Sequence, residues 1–262
     1  MNSKQIIDMH AHVYKEKIAQ KASNAIGTFY GMPSACGGTT AELLERGAQA
    51  GIGRHLISSV ATTPEQVCKI NDFLRGEVEA HPELIGFATL HPFMEHMEEE
   101  LDRIEALGLK GIKIHPDFQE FYADAPEAMA MYRKMNGRFP ILIHVGDRSR
   151  DWSAPERVAR AADAFPEITW IAAHLGGYSV WGKAHCLYGR PNVYLDTSSS
   201  LPFLSPEAAV ELIRAHGTDR IFFGTDYPLW DPVEERKRFD TLPLTEDERE
   251  RILYRNAEAF IR

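Results

Sequence analysis

The chain has 262 residues, 44% hydrophobic and 26% charged; this length suits one α/β barrel of about 250 residues, and the balance excludes a disordered chain. A net charge of −9 argues against the basic patches that a nucleic-acid backbone or an anionic membrane requires, so the expected partner is a small-molecule substrate, with a homodimer left open. Three widely spaced cysteines, Cys36, Cys68 and Cys186, make no CxxC pair, which disfavours a disulfide framework or a thiolate zinc knuckle and points to reduced thiols in the cytoplasm.

The first strand-like run, Ile6–His12 (IIDMHAH), begins so early that a signal peptide is not expected, and no apolar run approaches the roughly 18 residues of a membrane span. Residues 13–38 follow as a long polar connection carrying Tyr14, Phe29 and Tyr30, read as a loop. Over a barrel mouth it would serve as a lid; a surface elaboration or a subunit contact is an equal alternative. Thr39 with Glu42 predicts a capping box and a helix to Ala50, before a strand at His55–Val60. Thr62 with Glu65, and Pro64 in the first turn, predicts a helix ending near Ala80. Strands are then expected at Leu84–His91, Gly111–His115, Pro140–Val145, Thr169–His174, Val193–Ser198 and Arg220–Asp226. Helices open at Ser153–Glu156 and Ser205–Glu207, one more closes the chain over Thr245–Arg262, and Gly108, Gly137 and Gly217 mark helix ends. Eight such runs alternating with helices, without linker or tandem repeat, predict one domain over 1–262, a (β/α)8 barrel with a parallel sheet.

The histidines carry the chemistry. Five runs end in His12, His91, His115, His144 and His174, and the eighth ends in Asp226. In a parallel barrel all C-terminal strand ends meet on one face, so these residues converge on one pocket. The two-residue period of a strand puts His10 and His12 on the same side, roughly 7 Å apart along it. His144 and His174 each follow a wholly apolar run, and a polar ring there needs a partner. Asp226 adds a carboxylate that is costly to bury unless paired or metal-bound. Taken singly, each is an ordinary structural residue; together, three imidazoles and a carboxylate suit Zn²⁺ or a similar divalent ion.

HxH on the first strand, His on the fifth and sixth, and Asp on the eighth resemble the amidohydrolase superfamily. The wording DMHAH, GIKIHP, ILIHVGD, AAHLGG, LDTSSS and FFGTDYP resembles its amidohydrolase-2 branch, which includes aminocarboxymuconate semialdehyde decarboxylase, aromatic acid decarboxylases and pyrone dicarboxylate lactonase. The resemblance implies that His10, His12, His144 and Asp226 bind one divalent ion, zinc by donor type, and that His174 is catalytic. Aligned by strand end, His115 rather than Lys113 takes the fourth-strand slot, as a polar substrate-binding residue. Lys113 as a carbamate bridging two ions stays as the rival arrangement. The activity implied is hydrolysis of an amide, lactone or ester bond in a small, carboxylated or neutral molecule by a metal-activated water, Asp226 taking the water's proton and His174 polarising the carbonyl. Non-oxidative decarboxylation of a small aromatic or unsaturated acid is the alternative, and an inactive ligand-binding barrel a second one.

Lesser candidates follow from position alone. His91 precedes a proline and is read as shaping a strand exit. Asp196 either orients a neighbouring group or caps the turn through Ser198. Arg148, Arg150, Tyr178, Trp181 and Trp230 lie on exit loops, where substrate contact competes with ordinary loop surface. His55, His81, His96, His185 and His216 are read as structural.

Overall fold

A computed structural model describes residues 6–261; Met1–Gln5, and Arg262 at the end of the last predicted helix, lie outside the described residues. Eight strands succeed one another around one sheet: β1 (Ile6–His12), β2 (Ile52–Ser58), β3 (Leu84–Thr89), β4 (Gly111–Ile114), β5 (Ile141–Ile143), β6 (Trp170–Ala172), β7 (Val193–Asp196) and β8 (Ile221–Phe222). Every neighbouring pair is parallel. The ring closes where Met9 N donates to Phe223 O at 2.9 Å, His12 N to Tyr227 O at 2.7 Å and Asp226 N to His10 O at 2.7 Å. This is the (β/α)8 barrel that the sequence predicts.

Alternation along the strands divides the core in two. Ile7, Met9, Leu56, Phe87, Leu142, Ile171 and Phe222 fill the barrel interior. Ile57, Ala88, Ile112, Ile114, Ile141, Ile143, Trp170, Ala172, Val193 and Leu195 face the helices instead. Gly111 is required by this packing, since a Cβ there would lie 2.4 Å from the Phe87 ring. A register shift between Asp8 and Ala11 places one extra residue in β1. Met9 therefore stays in the interior core while His10 and His12 also turn toward the barrel mouth.

Six strands stop short of the predicted histidine, serine or aspartate. After β6, β7 and β8 the backbone turns, and His174, Ser199 and Asp226 adopt left-handed φ values of 61°, 49° and 57°. Among the helices, Thr39 caps α2 (Thr40–Gln49) by accepting from Glu42 N, but the Glu42 carboxylate turns away to Gly37 N, Gly38 N and the Tyr227 hydroxyl. The expected capping box at Thr62 does not form. A 3₁₀ turn precedes α3 (Val67–Ala80), and Thr62 bonds the Gln66 side chain. The box at Thr245 and Glu248 is present.

The largest correction is in 13–38. It is not a loop: Glu16–Tyr30 forms helix α1, ended by Gly31 in the left-handed conformation. Ile18, Ala22, Ala25, Ile26, Phe29 and Tyr30 recur at helical spacing and face the cavity at the barrel mouth. Among the described residues no helix is long and apolar enough to cross a membrane, and the three cysteines are free.

Candidate metal centre

Three ligand-type side chains meet at the ends of β1 and β8. Atoms of His10, His12 and Asp226 lie within 4.8 Å of one another, all buried. His10 Nε2 is 3.2 Å from His12 Nε2, and Asp226 Oδ1 is 3.6 and 3.4 Å from the two nitrogens. Gly224 forms the floor beneath them, because a Cβ there would stand 3.0 Å from the His10 Cβ.

Hydrogen bonding sets which nitrogens are bare. His10 Nδ1 lies 3.0 Å from Asp196 Oδ2, so it donates and leaves Nε2 with a lone pair. His12 Nδ1 lies 3.2 Å from Ser58 Oγ, whose hydroxyl also reaches Ala11 O at 3.4 Å, and His12 Nε2 lies 3.4 Å from Asp226 Oδ1. The Ser198 hydroxyl donates to Asp196 Oδ1 at 2.5 Å, so His174 Nδ1 must donate to Ser198, whose oxygens lie at 2.9 and 3.1 Å. His144 Nε2 donates to Gly146 O at 2.9 Å. That leaves His144 Nδ1 and His174 Nε2 facing each other at 2.9 Å, both without protons.

Burial holds His12 and His174 down to about 4 and His144 well below its ordinary value, so these rings are neutral at pH 7. The lone pairs of His10 Nε2, His144 Nδ1 and His174 Nε2 face one pocket, and a hydrogen-bond donor, Lys113 Nζ, approaches His10 Nε2 at 3.0 Å. This donor set, with the Asp226 carboxylate beside it, fits a divalent cation. Burial raises the Asp226 carboxyl, but His10 and the bond from His12 outweigh it and hold the group well below the usual carboxylate range.

The predicted residues do not all fall where expected. His144 is in the same pocket, yet it turns to His174 rather than joining the first three residues. From β4 it is Lys113, not His115, that reaches the HxH pair: its Nζ stands 3.0 Å from His10 Nε2. The side chain is long enough to cover the step that separates it from the strand end. Burial lowers Lys113 to about 8. His115 lines the cavity instead, stacked on His144 at 4.0 Å and bonded to the Tyr30 hydroxyl at 2.9 Å. His115, His144 and Asp117 also approach within 4.8 Å. His115 Nδ1 already accepts from Phe118 N and His144 Nε2 donates to Gly146 O, so we assign no ion there.

The cavity above the site measures about 810 Å³. Its walls include Phe29, Phe73, Phe118 and Trp152, with Lys15, Lys69 and Arg150 among them. Asp196 plays both parts expected of it: it orients His10 and accepts from the backbone of His174 and Ser198, each at 3.1 Å. Trp181 Nε1 donates to His174 O at 2.9 Å, fixing that turn. His91 accepts weakly from Phe93 N in a strand-exit turn. His55 bonds Asp8 at 3.3 Å, and His216 bonds Val193 O at 3.0 Å, both structural.

Two residues escaped the sequence reading. Ser199 donates to Asp226 Oδ2 at 2.5 Å. Asp117 is 3% exposed on the cavity wall with neither oxygen hydrogen-bonded among the described residues. The run Ser198–Ser200 was the only signal for the first, and His115-Pro-Asp in a helix's first turn for the second.

The model of the amidohydrolase family (amidohydrolase-2) matches residues 7–262. The chain belongs to this family. Solved structures of similar fold share little sequence with it. An uncharacterised TIM-barrel protein from Bordetella bronchiseptica is 21% identical, with 98% of each chain covered and a TM-score of 0.78. A dihydroxybenzoic acid decarboxylase from Polaromonas sp., solved with manganese and the inhibitor 2-nitroresorcinol, is 18% identical over 99% of this chain and 97% of that one, with a TM-score of 0.72. A putative 2-pyrone-4,6-dicarboxylic acid hydrolase from Pseudomonas putida is 16% identical over 99% and 98%, with a TM-score of 0.70. Among curated protein sequences, none matches this one significantly.

Proposed function

We propose that this amidohydrolase-family protein is a metal-dependent hydrolase acting on an amide, lactone or ester bond of a small carboxylated molecule. His10, His12, His144 and Asp226 would hold one divalent ion, zinc or manganese. The convergence of the ligand atoms of His10, His12 and Asp226 within 4.8 Å carries this reading. A divalent ion supplies Lewis acidity at the reacting oxygen. Asp226, ionised at neutral pH, accepts a proton from the attacking water and returns it to the leaving group. His174, fixed by Ser198 and Trp181, stands beside the reacting carbon's oxygen. His115 and Tyr30 bind substrate from the cavity wall. Lys15, Lys69 and Arg150 favour a negatively charged group in a protein that is acidic as a whole.

Hydrolysis begins with a base, and the ionised Asp226 carboxylate beside His10 and His12 supports that reading. The aromatic cavity walls favour the second reading, decarboxylation of a planar aromatic acid. A panel of lactones, amides, esters and aromatic acids, followed by acid release and by CO₂ release, separates the two. CO₂ without hydrolysis overturns the first reading. The ion count is the second measurement. One ion per chain with unmodified Lys113 is expected. Two ions bridged by a carbamate on Lys113, an arrangement that this lysine's proximity to His10 favours, would replace it.

A further inference from the structure

We propose that Ser199 is a positioning residue that determines which oxygen of Asp226 faces the metal ion; this rests on the metal-centre reading above. An indole N–H can only donate. Trp230 Nε1 therefore donates to Ser199 Oγ, at 2.9 Å, and the single hydroxyl proton of Ser199 goes on to Asp226 Oδ2, at 2.5 Å. The indole thus sets the direction of the whole chain. It engages Oδ2 and leaves Oδ1 facing His10 and His12. A carboxylate has two equivalent oxygens on a soft terminal torsion, so without this bond either oxygen, or both, would face the ion.

The backbone is arranged for the same contact. Ser199 and Asp226 leave the adjacent strands β7 and β8, and both are left-handed, at φ 49° and 57°. That conformation is uncommon for residues with a Cβ, and such strain gathers at functional sites. Ser199 is 1% exposed. The Trp230 ring is held in turn by Phe203 at 5.7 Å and by the Arg238 guanidinium at 5.3 Å.

The test uses the full chain, stripped of metal and titrated with Co²⁺ alone against a chromophoric chelator. The visible absorption of bound Co²⁺ is the second readout. Ser199→Ala and Ser199→Gly both remove the hydroxyl, and the glycine also relieves the left-handed strain. Each is expected to weaken Co²⁺ binding about 10- to 100-fold, the usual range for groups that orient ligands, and to alter the Co²⁺ spectrum. Trp230→Phe is expected to weaken binding less. Because Trp230 acts through Ser199, the double variant Ser199→Ala/Trp230→Phe should be no weaker than Ser199→Ala alone. Losses that add in the double variant, or a Ser199→Ala protein with wild-type affinity and spectrum, overturn the inference while leaving the metal centre standing. A folded wild-type protein that takes up no Co²⁺ overturns both.

Discussion

Asp196→Asn turns a nearly isosteric change into a test of how the imidazoles are set. Asp196 Oδ1 accepts from the backbone of His174 and Ser198 and from the Ser198 hydroxyl. An asparagine at 196 keeps its carbonyl oxygen there, which directs its NH₂ group at His10 Nδ1, 3.0 Å from the present Oδ2. Two donors then face each other, and His10 moves its proton to Nε2, the nitrogen beside His12. The ion loses a ligand. The expected loss in metal affinity is about 10- to 100-fold, or about 1.4–2.7 kcal/mol. Stability changes in parallel. Burial raises the Asp196 carboxyl, but His10 outweighs it and holds the group at about 2, against an ordinary 3.8. Such a depressed group stabilises the fold above its unfolded pKa, and the contribution is lost as pH falls through about 2. The variant should therefore be on the order of 2 kcal/mol less stable at pH 7, with the gap narrowing below pH 4. Chelator competition, denaturant unfolding and ¹⁵N spectra of the histidine ring nitrogens measure the three effects. Wild-type metal affinity with the His10 proton still on Nδ1 would refute the tautomer argument.

His174→Asn should keep the ion while lowering kcat about 10²- to 10⁴-fold, whereas His12→Asn should lose ion and activity together; metal analysis beside kinetics checks this, and loss of the ion from both would make His174 a ligand. Burial raises Asp117 to about 6. Its ionised form then opposes folding, so this destabilisation grows as pH rises from about 4 to about 6 and stays constant above. Asp117→Asn should accordingly gain up to about 3 kcal/mol over wild type at pH 8 and almost nothing at pH 4, and an equal effect at both values would contradict the account. Gly224→Val would press on the Cβ atoms of His10 and Ser198, at 3.0 and 3.2 Å from the first added carbon. A cost of about 1–3 kcal/mol in denaturant unfolding, with weaker metal binding, is expected, and unchanged binding would show that the floor can yield.

The barrel was legible because its signals are local. Each strand is a short apolar run, and the strand-end histidines identify one face as soon as the sheet is parallel. The shared side of His10 and His12 also followed from spacing, although a bulge in β1, invisible in the sequence, is what lets Met9 and His10 both point inward. Helix α1 had a periodic apolar stripe, but the stripe faces a cavity, and its small residues read as polar loop. What tertiary structure alone decided is which groups share a hydrogen bond. Lys113 rather than His115 reaches His10 because side-chain length, not strand-end position, governs reach across a barrel. His144 pairs with His174, and Ser199 with Asp226, across strands that are 30 and 27 residues apart. A sequence can show that donors and acceptors will crowd one pocket. Which nitrogen keeps its proton depends on distances of a few tenths of an ångström, and those arise only when all eight strands are closed around the site.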